Sequence, residues 1–154
     1  MEQKTQNKLT IAFVVFFGIC FLIAGLSRYF WSDANVVLDG KKLNVLIAED
    51  SVQQFKGLGG RKDFGEYDGM IFIYDEAFKI GVVMRDMEMP IDVVWFYDGK
   101  VVDIAPNLQP EPGVKEADLR VYLPRGKANV FLELEAGWTE KNGLKIGDEL
   151  KVVE

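Results

Sequence analysis

The feature that most restricts the fold of this chain is an uncharged stretch of 18 residues from Leu9 to Leu26. A helix needs about 20 mostly apolar residues to cross the roughly 30 Å hydrocarbon core of a bilayer. Aromatic residues at 29–31 extend the stretch, and aromatic side chains are enriched at membrane–water interfaces. The sequence therefore predicts a transmembrane anchor over residues 9–31, and the remaining chain has to form its own core.

Basic residues on the two sides of this stretch predict its orientation. Lys4 and Lys8 precede it, whereas Arg28 follows it closely. The more positive flank of a membrane helix usually stays in the cytoplasm. We therefore expect residues 1–8 to be a cytoplasmic tail of a single-pass cell-membrane protein whose remaining chain is extracytoplasmic.

A cleaved signal peptide is the alternative to an anchor. Signal peptides have apolar cores of about 7–15 residues and a small-residue cleavage site. Here the apolar core is longer, and the nearest small residues, at 32–34, follow Trp31. The pattern favours an uncleaved anchor or signal, followed by a linker at 32–35 and an extracytoplasmic β-rich domain at 36–154.

The residue types that the chain lacks exclude several kinds of active site. It has no histidine, and its single cysteine, Cys20, lies inside the predicted anchor. Histidine-dependent triads, most zinc sites and disulfides are therefore excluded from the predicted domain. A net charge of −6 also makes nucleic acid an unfavourable partner. We predict no metal and no cofactor.

Two Asp-Gly pairs between apolar runs predict β-hairpins. Asp39-Gly40 separates residues 36–38 from 41–48, and Asp98-Gly99 separates residues 91–97 from 100–104. Glycine reaches the positive φ that a type I′ turn requires without steric cost, and aspartate tolerates it. These hairpins are the firmest part of the predicted secondary structure.

Two short helices are predicted between the strands. Asp50 or Ser51 can cap the first, with Gln53 or Gln54 near the capping-box position and Gly57 at its end. The second spans residues 136–142 and ends before Gly143. The glycines at 57, 59 and 60 lack the spacing and the following Lys-Ser/Thr pair of a phosphate-binding loop, so we interpret them as a turn.

The remaining chain alternates between short apolar segments and turns. We predict further strands at 69–74, 80–84, 118–123, 129–135 and 149–153, a turn at 75–79 and a proline-rich loop at 105–116. Many short strands without regular helix alternation indicate a mainly β fold. We expect a compact β-sandwich or barrel-like domain with one or two short helices.

The densest polar segment, Met84 to Asp92, is the expected position of any functional site. Its charged residues could form a ligand pocket or a structural salt-bridge network around Pro90, which breaks a strand. We interpret its methionines as core residues, because a Cu(I) site usually adds histidine or cysteine. The candidate ligand-binding residues are Arg61, Arg85, Asp86, Asp92 and Glu133.

Several strings over residues 43–152 resemble one bacterial and archaeal family, the domain of unknown function 192. They are Lys56-Gly57-Leu58-Gly59-Gly60-Arg61, Gly69-Met70-Ile71-Phe72, Met84-Arg85-Asp86 with Pro90-Ile91-Asp92, Leu132-Glu133-Leu134, Ala136-Gly137-Trp138 and Gly147-Asp148. The chain departs from the family pattern at Gly59, where methionine is typical, and at Asp86, where asparagine is typical. It also has Val82 and Val83 before Met84, where two aromatic residues are typical of the family. The resemblance implies a compact β-rich fold, often behind a signal or anchor, without an established activity.

Two classes of function remain open. The first is a membrane-anchored binding or assembly module for a small polar or saccharide ligand or an envelope partner protein. The second is a hydrolase that cleaves envelope polysaccharide with two carboxylates about 5–9 Å apart. The first is favoured, and an open cleft with such a carboxylate pair would favour the second.

Overall fold

The computed structural model describes residues 13–20 and 31–153. Residues 13–20 are helical, with exposed apolar side chains such as Phe13 and Phe17, whose ring centroids are 4.9 Å apart. Among the described residues, no helix is long and apolar enough to cross a bilayer. The predicted tail at 1–8 and most of the predicted anchor lie outside these residues. A separate compact unit begins at Ser32.

The unit that begins at Ser32 is built from short strands, as the turn-rich sequence predicts. Its described residues form seven strands, two α-helices and one 3-10 helix. In chain order these are β1 (Asp33–Leu38), β2 (Lys41–Ala48), α1 (Ser51–Lys56), β3 (Gly69–Phe78), β4 (Ile91–Tyr97), β5 (Lys100–Leu108), the 3-10 helix (Glu116–Asp118), β6 (Ala128–Glu135), α2 (Trp138–Asn142) and β7 (Leu150–Val153).

All seven strands belong to one sheet in the order β5-β4-β6-β3-β2-β1-β7. Neighbouring strands are antiparallel except β2 and β3, which are parallel and joined through α1. An isolated bridge between Lys100 and Glu149 brings the β5 edge to the chain just before β7. The sheet therefore curls into a half-barrel, and the predicted mainly β, barrel-like class is confirmed as a single sheet.

The two faces of the sheet carry different layers. One face holds the main apolar cluster, which includes Ile71, Val94 and Leu132. The opposite face is covered by the connection between β3 and β4, whose Ile80 and Met84 are almost fully buried. The indole N–H of Trp95 donates to the Ile80 carbonyl oxygen at 3.0 Å and attaches this connection to β4. The methionines of this region are buried, as predicted for core residues.

The local signals in the sequence account for the turns and caps. Both Asp-Gly pairs form hairpins, with positive φ at both residues of each pair. Asp50 caps α1 by accepting from the Val52 and Gln53 amides. The Asp50 amide in turn donates to the side-chain oxygen of Gln53, which completes the capping box. Gly143 ends α2 at φ 67°. These predictions are confirmed because each rests on interactions within a few residues.

Several predicted boundaries differ from the structure. β1 begins at Asp33, so the predicted linker at 32–35 is mostly strand. β3 continues to Phe78 through the predicted turn, with an irregular register after Ile73. β5 continues to Leu108, because Pro106 lies on an edge strand where its missing N–H is tolerated. Residues 80–84 and 118–123 are not strands but meet through one bridge, Val82 to Tyr122. Along residues 80–84, buried and more exposed positions alternate because every second side chain faces the sheet. The segment is not part of a continuous ladder of backbone hydrogen bonds.

Candidate functional site

A cavity of about 240 Å³ lies between the sheet and the layer that covers its second face. Three parts of the chain enclose it: strands β3 and β6, the segment from Gln54 to Gly59, and the β3–β4 connection. We call these the floor, the roof and the rim. The chemically informative lining residues are Phe72, Tyr74, Phe131 and Glu133 in the floor, Lys56 in the roof and Arg85 in the rim.

Glu133 reaches the cavity because side chains alternate along a strand. Its neighbours Leu132 and Leu134 belong to the main apolar cluster on the other face of the sheet. Glu133 is 5% exposed, and its Oε2 atom accepts no hydrogen bond from the described residues. Burial raises the pKa of its carboxyl group from 4.5 to about 8. The isolated group is therefore mostly protonated at pH 7.

Aromatic rings form most of the floor around Glu133. The rings of Phe72 and Phe131 come from paired positions on β3 and β6 and stack with centroids 4.2 Å apart. Tyr74 stacks on the same Phe131 ring at 6.3 Å. Burial, and secondarily the nearby Glu133 charge, raise the pKa of Tyr74. The buried carboxyl group thus sits beside a row of three rings.

The roof is held in place by backbone carbonyl groups. The Gln54 side-chain amide donates to the Ile73 carbonyl at 2.8 Å, and an Arg85 N–H donates to the Phe55 carbonyl at 2.9 Å. The Arg85 guanidinium also lies 4.0 Å from the centre of the Phe55 ring. A Cβ at Gly59 would lie 3.0 Å from the Lys56 carbonyl oxygen and 3.2 Å from that of Arg85. The glycine permits this close approach.

Arg85 lines the cavity, but its strongest contact points away from it. The guanidinium forms a bidentate ion pair with Glu116, with Nε donating to both carboxylate oxygens at 2.8 and 2.9 Å. These hydrogen bonds raise the pKa of Arg85 and lower that of Glu116. Arg85 therefore links the 3-10 helix to the roof, and it contributes to the position of the rim.

Asp86 occupies a backbone position that few residue types tolerate. Its φ is 52°, and its carbonyl oxygen accepts from the Gly60 amide at 2.8 Å. Asparagine and aspartate are the non-glycine residues that most readily adopt this left-handed conformation. The Asp86 side chain is exposed, and it faces a recess outside the cavity. Backbone geometry explains why either residue type suits this position.

Asp92 is completely buried, and both of its oxygens accept hydrogen bonds within the fold. Oδ1 accepts from the amides of Asn107 and Gly137, at 2.8 and 3.0 Å. Oδ2 accepts from the amide and the hydroxyl group of Thr139, at 2.8 and 2.6 Å. Asp92 on β4 therefore caps the start of α2, and these contacts occupy both of its carboxylate oxygens.

The five predicted residues are thus divided by the structure. Arg85 and Glu133 line the same cavity, whereas Asp86 and Asp92 lie outside its lining. Arg61 is partly exposed in the turn after the roof, where its amide donates to the Leu58 carbonyl at 3.0 Å, and it is not a lining residue. The sequence analysis did not identify Phe72, Tyr74, Phe131 or Glu116. The available signal was the spacing of two residues between Phe72 and Tyr74 and between Phe131 and Glu133, which places each pair on one face of a strand.

The lining favours binding over hydrolysis. Among the described lining residues, Glu133 supplies the one carboxyl group, and the basic residues are Lys56 and Arg85, of which Arg85 is paired with Glu116. Glycoside cleavage usually needs a second carboxylate on the other side of the scissile bond. The described lining does not supply that second group. A single buried acceptor among aromatic rings is suited to recognition.

Comparisons with known proteins identify relatives without an assigned activity. The family model described as "DUF192: Uncharacterized ACR" matches residues 34–152. A crystal structure of "a putative transcription regulator" from Sinorhizobium meliloti 1021 is 26% identical, with a TM-score of 0.70, and covers 79% of this chain and 95% of its own. A protein of unknown function from Novosphingobium aromaticivorans DSM 12444 is also 26% identical, with a TM-score of 0.65 and coverages of 79% and 84%. No curated protein matches the chain.

Proposed function

The chain belongs to the DUF192 family of uncharacterised proteins, and from its own geometry we propose that it is a membrane-tethered module that binds a small polar ligand in the Glu133 cavity. The ligand is a hydroxyl-bearing or amino-bearing compound, including small saccharides, or a single such group that protrudes from an envelope partner protein. Glu133 accepts its hydrogen bond, and the rings of the floor pack against its carbon skeleton.

The observation that carries this proposal is the unpartnered Oε2 atom of Glu133. A buried polar atom without a hydrogen bond costs about 1–3 kcal/mol, so such atoms are uncommon and call for an explanation. A ligand that donates to Oε2 removes this cost on binding. The cavity is smaller than the roughly 300–1,000 Å³ of sites for drug-sized molecules, so the bound group is small.

Membrane tethering is the second part of the proposal. It is supported by the uncharged stretch at 9–26 and by the exposed apolar side chains of residues 13–20. The family match begins at residue 34, after the predicted anchor. If the tether is present, the full chain stays with membranes through an alkaline carbonate wash, and deletion of residues 1–31 releases the protein.

A cavity-blocking variant tests the binding function. Val83 is a partly buried lining residue, so Val83→Trp fills the cavity from the rim. Val152→Trp places the same ring on an exposed position of β7 outside the lining and serves as the matched control. Small polyols, monosaccharides and amines are screened by ligand-observed NMR against the full chain in an uncharged detergent.

The expected result is at least one ligand that binds the unchanged chain and Val152→Trp equally but binds Val83→Trp at least tenfold more weakly. Circular dichroism and melting curves establish that both variants are folded. Binding that is insensitive to Val83→Trp, or a complete lack of binding across the three compound classes, would refute the proposed function.

A further inference from the structure

We propose that the ligand group recognised by Glu133 is a small organic ammonium cation, an inference that rests on the proposed binding function and narrows it. The cavity holds a buried carboxyl group whose Oε2 lacks a donor, next to aromatic rings. Ammonium groups carry three N–H donors and a positive charge, so one group can satisfy both the hydrogen bond and the charge of a buried carboxylate.

No described basic side chain donates to the Oε2 atom of Glu133, so a ligand can take this position. A buried carboxylate is usually paired with a cation of the same protein. Arg85, which lines the same cavity, is committed to Glu116 and to the Phe55 carbonyl. Burial is the cause of the raised pKa of Glu133, and no hydrogen bond to a described basic group offsets it. An incoming ammonium group would supply the missing countercharge.

The floor adds a second attraction for cations. Aromatic faces attract cations that lie within about 6 Å of a ring centre. Phe72, Phe131 and Tyr74 offer three rings beside the carboxyl group. The charge of the guanidinium at the rim is balanced by Glu116, and the net charge of the chain is −6. Cationic ligands are therefore attracted to this protein from solution.

A neutral polyol fits the described lining less well. A sugar presents several hydroxyl groups, and each loses free energy if it is buried without a partner. Among the described lining side chains, carboxyl or amide oxygens come from Glu133 and Gln54, and the Gln54 NH₂ group already donates to the Ile73 carbonyl. One buried acceptor without a donor, next to aromatic rings, matches a single ammonium group on a short carbon chain.

Two probes of nearly equal shape test this inference. They are 3-fluoropropylammonium and 3-fluoropropan-1-ol, titrated against the full chain by fluorine NMR. At pH 8.5 we expect the ammonium probe to bind at least tenfold more tightly than the alcohol. Glu133→Gln keeps the shape but removes the charge, so it abolishes this preference. Glu135→Gln, an exposed position two residues along the same strand, preserves it.

The pH profile of the unchanged chain gives an independent measurement. Below pH 8 the ammonium probe must displace a proton from Glu133, so its affinity falls at least tenfold between pH 8.5 and 6.5. The other titratable groups of the cavity are Tyr74, Lys56 and Arg85. The pKa values of Tyr74 and Arg85 are both raised above their ordinary values, so neither group changes its charge over this range, whereas the pKa of Glu133 lies within it. Alcohol binding changes less over the same range.

The outcomes separate this inference from the proposed function. Alcohol binding that equals or exceeds ammonium binding, or ammonium binding that is unchanged by Glu133→Gln and by pH, would overturn the ammonium inference. If Val83→Trp still abolished alcohol binding, the binding function would stand. If Glu133→Gln fails to fold, the pH profile of the unchanged chain decides the question.

Discussion

Asp92 and Thr139 are joined by two hydrogen bonds to a single oxygen, although 47 residues separate them in the chain. The Thr139 amide and hydroxyl group both donate to Oδ2, while Oδ1 accepts the amides of Asn107 and Gly137. One side chain on β4 therefore attaches the start of α2 and the end of β5 to the strand next to the sheet edge. A charged residue in the most polar segment of the sequence thus has a structural role.

The first prediction concerns this buried carboxylate. Asp92→Asn turns one accepting oxygen into a donating NH₂ group that faces N–H or O–H donors. We expect the free energy of unfolding to fall by about 3–5 kcal/mol, because buried groups are left unpaired. Thr139→Val removes one of the four donors and should cost about 1–2 kcal/mol. Urea unfolding curves measure both, and equal losses in the two variants would contradict the role of Asp92 in attaching both α2 and β5 to β4.

The second prediction concerns the pH dependence of stability. The pKa of Glu133 rises from 4.5 to about 8 on folding, so between these values the folded state binds the extra proton. The free energy of unfolding therefore falls as pH rises from about 4.5 to about 8, by up to about 1.4 kcal/mol per pH unit and on the order of 5 kcal/mol in total. Above pH 8 this contribution is constant.

Glu133→Gln removes this ionisation, so its stability relative to the unchanged chain should increase over the same pH range. Glu135→Gln is the matched control, since its carboxyl group is exposed on the same strand. Urea midpoints at pH 5, 6.5, 8 and 9 provide the measurement. A pH-independent difference between the unchanged chain and Glu133→Gln would show that Glu133 ionises normally.

The third prediction concerns the pairing of β3 with β6 below the cavity. A Cβ at Gly69 would lie 2.4 Å from the Glu133 carbonyl oxygen, an atom of the backbone that cannot move aside cheaply. Gly69→Ala should therefore destabilise the fold by about 2–3 kcal/mol through overpacking. Gly126→Ala meets no atom within 4 Å and should leave the melting temperature within a degree or two. Similar melting temperatures for the two variants would contradict the close approach at Gly69.

The parts of the fold that were predictable depend on short-range interactions. The Asp98-Gly99 turn and the Asp50 capping box are determined by residues within a few positions of each other. The boundaries at 75–84 were not predictable, because alternating apolar residues are equally consistent with a strand and with an extended layer over a sheet. Tertiary pairing, in particular the bridge between Val82 and Tyr122, decides between the two.

The candidate site could likewise be predicted from the sequence only as far as short-range patterns reach. Glu133 could be identified as a charged residue between two leucines, but the sequence did not show which face of the sheet it occupied. Arg85 was expected to bind a ligand, while its main partner, Glu116, lies 31 residues away in the 3-10 helix between β5 and β6. The burial that distinguishes Asp92 from Asp86 depends on which elements pack over each residue, and this information is not local.

The roof of the cavity has a consequence for how the proposed ligand preference would be altered by substitution. Its lining residues form one continuous segment, Gln54 to Gly59, between β2 and β3, whereas the floor belongs to the interior of the sheet. Substitutions in the floor disturb strand pairing and core packing, but substitutions in a surface connection are tolerated more readily. Under the proposed binding function, exchange of this one segment, the end of α1 with the turn after it, would therefore change selectivity and leave Glu133 below it in place.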